Sequence, residues 1–379
     1  MTRFRGASTG GWPDTRVSAL LGVRYPIIQG PFGGGLSTSR LVGVVAAAGG
    51  LGSYGAHYVK PDQIPPIVDE LRVATDGGPF AVNLWVETHD LPELEMDEKR
   101  FDAAVRALAP LYEVSATKPP AYPARFAPTF EEQFEALLRN PPPAFSFVFG
   151  IPPQWVLDAC RDRSIPTIGT ATTPDEVVAL DDAGVDVIVA SGFEAGGHRG
   201  AFLAPAEDSL VGTLPLVRIA SEEVGTPIVA AGGIADARGI LAAHALGAEG
   251  VQIGTAFLAT EESGATPEHR ALLRADTARR TILTRQFSGR LGRGLRNRLT
   301  DELVGDDAIA PYPYQGYLLK PVIDAARARG DTTVVSMWSG QGAPLIRHTS
   351  AADLFADLVA GMEDLLDAGA SRTRGANPA

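Results

Sequence analysis

The chain has 379 residues, 45% of them hydrophobic and 21% charged, with a formal net charge of −12. This suits one large α/β barrel with additions or two ordinary domains, and it argues against general nucleic-acid binding, which rests on neutralising phosphates. No run approaches the roughly 18 to 20 apolar residues of a membrane helix, and a single cysteine excludes an internal disulfide framework and a thiolate metal site.

The N-terminus carries basic residues without an apolar core behind them, so it does not resemble a signal peptide, and the cytoplasm is the expected compartment. The first strand signal, Tyr25 to Gln29, runs into Gly30-Pro31-Phe32-Gly-Gly-Gly35, where bare glycines leave the backbone open to a ligand. Ser37 or Thr38 caps a helix through Ala48, Gly49-Gly50 ends it, and Leu51 to Tyr54 reads as a second strand. Pro61 opens a helix that stops before Gly77-Gly78, and Phe80 to Asn83 is the third strand. This rhythm, with short connections, is that of a parallel sheet wound by right-handed crossovers. From Glu87 to Pro143 the rhythm breaks, with two helix-like segments at about 97–111 and 129–139 around a proline-rich piece. So long a loop is either a lid or a plain surface excursion.

Alternation resumes with the strand Phe145 to Phe149, a helix at 153–163 containing Cys160 as a buried spectator, and the strand Pro166 to Gly169. A helix at 174–183 follows, then the strand Asp186 to Ala190. A helix at about 214–224 leads to Pro227 to Ala231, and a helix at 235–246 leads to Gly250 to Ile253, which makes about eight strands. Segments 177–190 and 240–254 repeat one another, with Gly184 and Gly247 where helices end left-handed. The repeat favours closure. The expected fold is α/β, a (β/α)8 TIM barrel with an enlarged loop after strand 3 and a C-terminal, mostly helical appendage. The barrel is expected at 16–262 with insertion 87–143, the appendage at 263–370 over the barrel mouth with a closing helix at about 351–366, and a disordered tail at 371–379.

Three stretches carry chemistry. Glu194-Ala195-Gly-Gly-His198-Arg-Gly200 sets one titratable group in a glycine loop at the end of an apolar run, where α/β proteins bind ligands. The plain alternative is a loop histidine bonded to a backbone carbonyl. Ala230-Ala-Gly232-Gly233-Ile234 and Val251-Gln252-Ile253-Gly254-Thr255 follow the last two strands, where barrels often cradle a phosphate on bare amides and a helix start. Tight βα turns are the alternative. No G-x-G-x-x-G follows the first strand with an acidic residue about 20 positions on, which leaves a mononucleotide such as FMN or a sugar phosphate. The six histidines lack ligand spacing, so no metal is expected, and Ser191 does not sit in G-x-S-x-G. Arg285, Arg290, Arg293, Arg296 and Arg298 read first as a solvated surface balancing acidic neighbours, and second as the face of an anion site.

Taken in order, Gln29-Gly-Pro-Phe-Gly-Gly34, Pro79-Phe-Ala-Val-Asn83-Leu84, Glu194 to Gly200, Ala231 to Ile234, Gln252 to Thr255 and Trp338-Ser-Gly-Gln341 resemble the nitronate monooxygenase family, formerly called nitroalkane dioxygenases. The resemblance implies a (β/α)8 barrel with noncovalent FMN, and oxidation of alkyl nitronates by O2 to a carbonyl compound and nitrite. By motif position it makes His198 the active-site base. It makes Gly30, Pro31, Phe32, Asn83, Ala195, Gly200, Gly232, Gly233, Gln252, Ile253, Gly254 and Thr255 the flavin contacts, and it places Tyr312, Lys320 and Gln341 at the substrate mouth. Partners implied are a small-molecule substrate and O2, without nucleic acid or membrane. The chain departs from the family at Phe32, where methionine is common, and in the length of the 87–143 insertion. The Glu-Ala-Gly-Gly-His motif also occurs in flavin-dependent enoyl-acyl carrier protein reductases. Two alternatives therefore stand beside the oxidase: an NAD(P)H-dependent flavin reductase of enoyl thioesters or quinones, and a flavin-binding protein without turnover.

Overall fold

The computed structural model describes residues 11–86, 96–123, 128–305 and 309–375. Its strands in chain order are β1 (Ile27–Gln29), β2 (Gly52–Gly55), β3 (Phe80–Trp85), β4 (Ala144–Val148), β5 (Thr167–Ala171), β6 (Val187–Ser191), β7 (Gly197–His198), β8 (Ile228–Ala231), β9 (Gly250–Ile253), β10 (Thr281–Thr284) and β11 (Gly292–Leu295). Eight of them pair in the order β1-β9-β8-β6-β5-β4-β3-β2, and every pairing in that sheet is parallel. The seam between β1 and β2 closes through a parallel bridge, Ile28 to Leu51, in which Leu51 N donates to Ile27 O and Gln29 N to Leu51 O, both at 2.9 Å. The strands are short apolar runs because a parallel sheet closed this way is covered on both faces.

Alternate residues point into the barrel. Ile28, Leu51, Ala81, Ala144, Ile168, Val187, Val189, Val229 and Ala231 form one cluster there with Val17, Leu21 and Val23. The last three come from the helix Arg16–Leu21 and its exit, so this helix plugs the N-terminal end of the barrel. Thr15 starts it with a reciprocal capping box and also donates its hydroxyl to Glu249 O at 2.7 Å, while Arg16 pairs with the Glu249 carboxylate. Two residues further along the same strands the inward positions turn polar. There Asn83 Nδ2 donates to Ser146 Oγ at 3.0 Å, so an apolar floor gives way to a hydrogen-bonding layer under the mouth.

Helices Ser39–Ala47, Ile64–Ala74, Phe130–Arg139, Gln154–Asp162, Pro174–Asp182, Thr213–Glu223 and Ala237–Ala245 cover the outside. The cap of the first is Thr38, whose side chain accepts from Leu41 N. Gly184 and Gly247 have positive φ, 78° and 102°, at the helix ends assigned to them. Cys160 is buried on the helix Gln154–Asp162.

The remaining segments differ from expectation in instructive ways. The segment at 97–111 is two helices, Glu98–Ala107 and Ala109–Ser115, because Pro110 falls in the first turn of the second and cannot continue the first. Helix Phe130–Arg139 is the regular crossover between β3 and β4, burying Phe130, Phe134 and Leu137; residues 87–95 and 124–127 of the enlarged loop lie outside the described residues. The closing helix runs Ala351–Gly375, past 366 and five residues into the expected tail, since each added residue gains one hydrogen bond once a helix is nucleated. Residues 376–379 lie outside the described residues. That helix packs against Ala237–Ala245 and Ser39–Ala47, with Phe355 against Tyr25 at 6.1 Å, and so stands as the eighth helix of the barrel ring.

Candidate active site at the barrel mouth

His198 lies in a strand, although its sequence reads as a glycine loop. β7 pairs antiparallel with β11, His198 opposite Gly292 and Gly197 opposite Arg293, and Arg199 N donates to Leu291 O at 2.8 Å. Gly292 permits this approach: a Cβ there would meet Trp338 Cζ3 at 2.8 Å and Gly197 O at 2.9 Å. Behind the strand, buried Arg199 donates from Nη1 to Gly192 O at 2.7 Å, and from Nη2 to Ser191 O and Ser209 O at 3.0 and 3.2 Å. Burial lowers its pKa to about 10, opposed by Glu176 and Glu194. The Glu194 carboxylate accepts from Thr213 N and Oγ1, which fixes the start of the loop.

The His198 ring is enclosed. Its Nε2 is hydrogen-bonded to Ser288 Oγ at 2.6 Å, and the rings of Trp338, Trp85, Tyr312 and Phe149 stand at 4.7, 5.3, 5.8 and 6.3 Å between centroids. Burial first, then the charge of Arg290 and the repulsion that protonating both this ring and His57 would create, hold its pKa well below the usual imidazole range, so the ring is neutral near pH 7. A second imidazole, His57, stacks on Trp85 at 3.7 Å with 6° between planes, and burial with Arg290 pushes its pKa down to about 3. Its Nδ1 is buried without a hydrogen-bond partner among the described residues. Tyr58 and Tyr312 share a hydrogen bond between hydroxyls at 3.2 Å.

The arginine-rich stretch divides. Arg296 and Arg298 pair with Asp301 and Glu302 at the surface, and Arg285 pairs with Glu207, as a balanced surface should. Arg290 and Arg293 are instead only 1% and 4% exposed, which corrects the surface reading for these two. β11 and the turn before it run along β7 into the mouth, carrying both side chains inward. Arg293 Nε donates to Phe193 O at 2.8 Å and Nη1 to Thr281 Oγ1 at 2.9 Å, a brace across the His198 loop. The Arg290 guanidinium lies 3.9 Å over Phe149, 4.5 Å from Tyr312 and 5.8 Å from Trp85.

The glycine turns after β8 and β9 meet at the same mouth. Gly232 and Gly233 have φ of 106° and 74°, a conformation that turns their amides out of the strand path. Among the described residues the amides of Gly232, Gly233 and Gly254 make no hydrogen bond within the protein. A Cβ at Gly233 or Gly254 would find its nearest atom at 3.4 or 3.7 Å, so there is room beside this backbone, and Thr255 opens the helix Thr255–Leu258. Bare amides at a helix start suit a phosphate, and the donor set fits that of a mononucleotide such as FMN.

Of the other residues singled out from sequence, Gly30 abuts Gly254, and Phe32 N donates to Ser37 Oγ at 2.9 Å with its ring turned toward Gly254; Pro31 precedes it. Gly200 is held so close to Val148 that a Cβ would meet Cγ2 at 2.7 Å. Asn83 tops the barrel interior, Ala195 N lies beside Gly232, and Gln252 and Ile253 are on β9, Ile253 in the outer core cluster. Gln341 N donates to Glu194 O at 2.9 Å and Gly340 N to Thr255 Oγ1 at 2.8 Å, so this loop ties the histidine strand to the glycine turns. Tyr312 is in the aromatic cluster. Lys320 is not brought in: it is 68% exposed on the helix Tyr314–Arg327 and pairs with Asp324 at 2.5 Å, one turn away.

Sequence reasoning missed Trp85, Phe149, His57, Tyr58 and Ser288 as site residues. Trp85 had a signal, since it shares the inward parity of Asn83 on β3. Phe149, one residue past β4, has φ of 67°, unusual for a bulky residue and invisible in sequence. Among the described residues no group of three or more His, Cys, Asp or Glu is placed for a metal, and no helix is long and apolar enough to cross a membrane.

Residues 14–361 match the family model described as nitronate monooxygenase. A probable nitronate monooxygenase of Staphylococcus saprophyticus is 37% identical over 357 residues, covering 93% of this chain and 99% of that one. One from Staphylococcus aureus strain Newman is 34% identical over 356 residues, covering 92% and 97%. Among solved structures, nitroalkane oxidase from Streptomyces ansochromogenes has a TM-score of 0.84 at 35% identity, covering 93% of this chain and 99% of its own. FabK from Thermotoga maritima has a TM-score of 0.70 at 26% identity, covering 96% and 99%. The enoyl reductase domain of MlnA from Bacillus amyloliquefaciens, at 11% identity and a TM-score of 0.64, shares the fold alone.

Proposed function

Since the chain belongs to the nitronate monooxygenase family, a flavin-dependent group of oxidoreductases, we propose that it oxidises alkyl nitronates with O2 to a carbonyl compound and nitrite. The observation that carries this reading is His198 itself, a half-buried neutral imidazole pinned by β7 to β11 pairing inside an aromatic enclosure. The cofactor would be FMN, whose phosphate the amides around Gly232, Gly233, Gly254 and Thr255 would hold. When bound, it supplies the electron acceptor and the chemistry with O2.

The chain's own groups do the rest. Ser288 Oγ occupies His198 Nε2 and can pass its own proton toward Arg290 O, at 3.3 Å, so the favoured tautomer keeps the proton on Nε2. Nδ1 is then the nitrogen that meets substrate and takes the α proton of a neutral nitroalkane. Trp85, Trp338, Phe149 and Tyr312 exclude water around that atom.

One anaerobic experiment tests the reading. The purified protein is expected to be yellow and to bleach on adding a nitronate, and His198→Asn should keep the flavin while bleaching more slowly with neutral nitroalkane than with nitronate. Bleaching by NAD(P)H and not by nitronate would select the reductase. No response to either leaves a flavin-binding protein, and equal loss on both substrates removes the base role.

A further inference from the structure

Resting on the flavin reading above, we infer that His57 donates a hydrogen bond from Nε2 to a carbonyl oxygen on the pyrimidine half of the bound flavin, and so raises the potential at which the flavin is reduced. Three observations carry it. The ring is fixed, stacked on Trp85 at 3.7 Å and held by Tyr58 at 4.0 Å between centroids, and buried Gln133 pins its loop by donating to His57 O at 3.0 Å and Val59 O at 2.7 Å. It lies at the end of the first glycine segment, where a Cβ on Gly33 would stand 1.7 Å from His57 Cε1, so that only glycine admits the imidazole. That segment starts at Gly30, whose own Cβ position is 3.3 Å from Gly254 Cα, and thus one stretch of backbone leads from the phosphate amides to the His57 ring. At no more than about 3.6 Å per residue it spans on the order of 10 Å, the scale on which a mononucleotide's ring stands from its phosphate. Finally, neither nitrogen of the ring has a hydrogen bond among the described residues, and only Nδ1 is sealed from solvent.

The chemistry follows from the state of that ring. Burial first, then the charge of Arg290, keeps His57 neutral at any ordinary working pH, and a neutral imidazole carries one N–H and one bare nitrogen. A hydrogen on Nδ1 would be enclosed with no acceptor, whereas on Nε2 it opens to the mouth, so Nε2 is the donor. Flavin offers its acceptors on the pyrimidine half, in two carbonyl oxygens and the ring nitrogens beside them. Reduction adds electron density to those atoms, so an N–H already aimed at one binds the reduced ring more tightly than the oxidised ring.

The test reads the midpoint potential of the holoenzyme by anaerobic reductive titration against a reference dye, so it does not depend on turnover. His57→Phe, which keeps a ring on Trp85, should retain flavin and lower the potential by about 30 mV or more, a tenfold change in the equilibrium of a two-electron couple. His57→Gln, whose amide returns an N–H at similar reach, should recover part of that shift. In the wild type, a carbonyl stretch of the flavin should move to lower frequency in the infrared on binding. The inference is overturned if no carbonyl stretch moves, a measurement that needs no variant to fold. It is also overturned if His57→Phe holds its flavin at an unchanged potential, or if His57→Phe and His57→Gln lower it equally. Weaker nitronate binding at an unchanged potential overturns it too, since the donor would then serve substrate. Failure of nitronate to reduce the flavin would sink the proposed reaction and leave the shift in potential standing.

Discussion

At the scale of single residues, the mouth is a place where two imidazoles are kept uncharged, and this has a thermodynamic consequence. His57 titrates at about 3 in the folded chain and His198 well below 6.5, whereas both take up protons near 6.5 once unfolded. Below pH 6.5 the unfolded state therefore binds more protons, and folding stability falls as pH falls, by up to about 1.4 kcal/mol per pH unit for each group. For His57 the window closes near pH 3. Urea unfolding at pH 7.5 and 5.5 should show this loss. His57→Phe, which keeps a ring on Trp85, should flatten the dependence, and an unchanged slope would refute the assignment. Sequence revealed His198 because glycines isolate it. It did not reveal His57, whose role comes from a stack with Trp85 on another strand, nor Arg290, whose charge reads as surface until β11 is seen to run beside β7.

At the scale of elements, the site depends on a short antiparallel pairing between distant parts of the chain. β7 has two residues, and it holds because β11, already paired with β10, offers it an edge at Gly292 and Arg293. Gly292→Ala should push β11 against Gly197 O and Trp338, at about 1 to 3 kcal/mol of overpacking. Its expected signature is selective: nitronate turnover falls at least tenfold, while far-ultraviolet circular dichroism keeps the barrel's signal. Unimpaired turnover would mean that the pairing does not position His198. The barrel strands were legible because parallel strands buried on both faces leave apolar runs punctuated by glycine. β7 was not, because Gly-Gly-His-Arg-Gly carries no strand propensity and only its partner defines it.

At the scale of the whole molecule, the barrel is completed from outside its own sequence segment. The eighth helix position is filled by Ala351–Gly375, which buries Leu354, Phe355, Leu358 and Met362. Four such side chains are worth about 1.5 to 3 kcal/mol each, a sum comparable with the roughly 5 to 15 kcal/mol that holds a domain together. Truncation before Ala351 should abolish cooperative unfolding, whereas truncation after Leu366 should change stability by less than about 1 kcal/mol; a folded, flavin-bearing product of the first would contradict this. Pattern reading found the helix but placed it in an appendage, because the 97 residues of 254–350 separate it from β9 and chain order alone does not say where a helix returns. That separation matters during synthesis. At about 5 to 20 residues per second, a nascent chain holds all eight strands for several seconds to some twenty seconds before its last helix is made. In that interval the helices Ser39–Ala47 and Ala237–Ala245, which pack against this helix in the finished fold, lack their final cover. The period of greatest risk of aggregation therefore falls between synthesis of β9 and synthesis of the helix Ala351–Gly375, and a stop before Ala351 does more harm than one after Leu366.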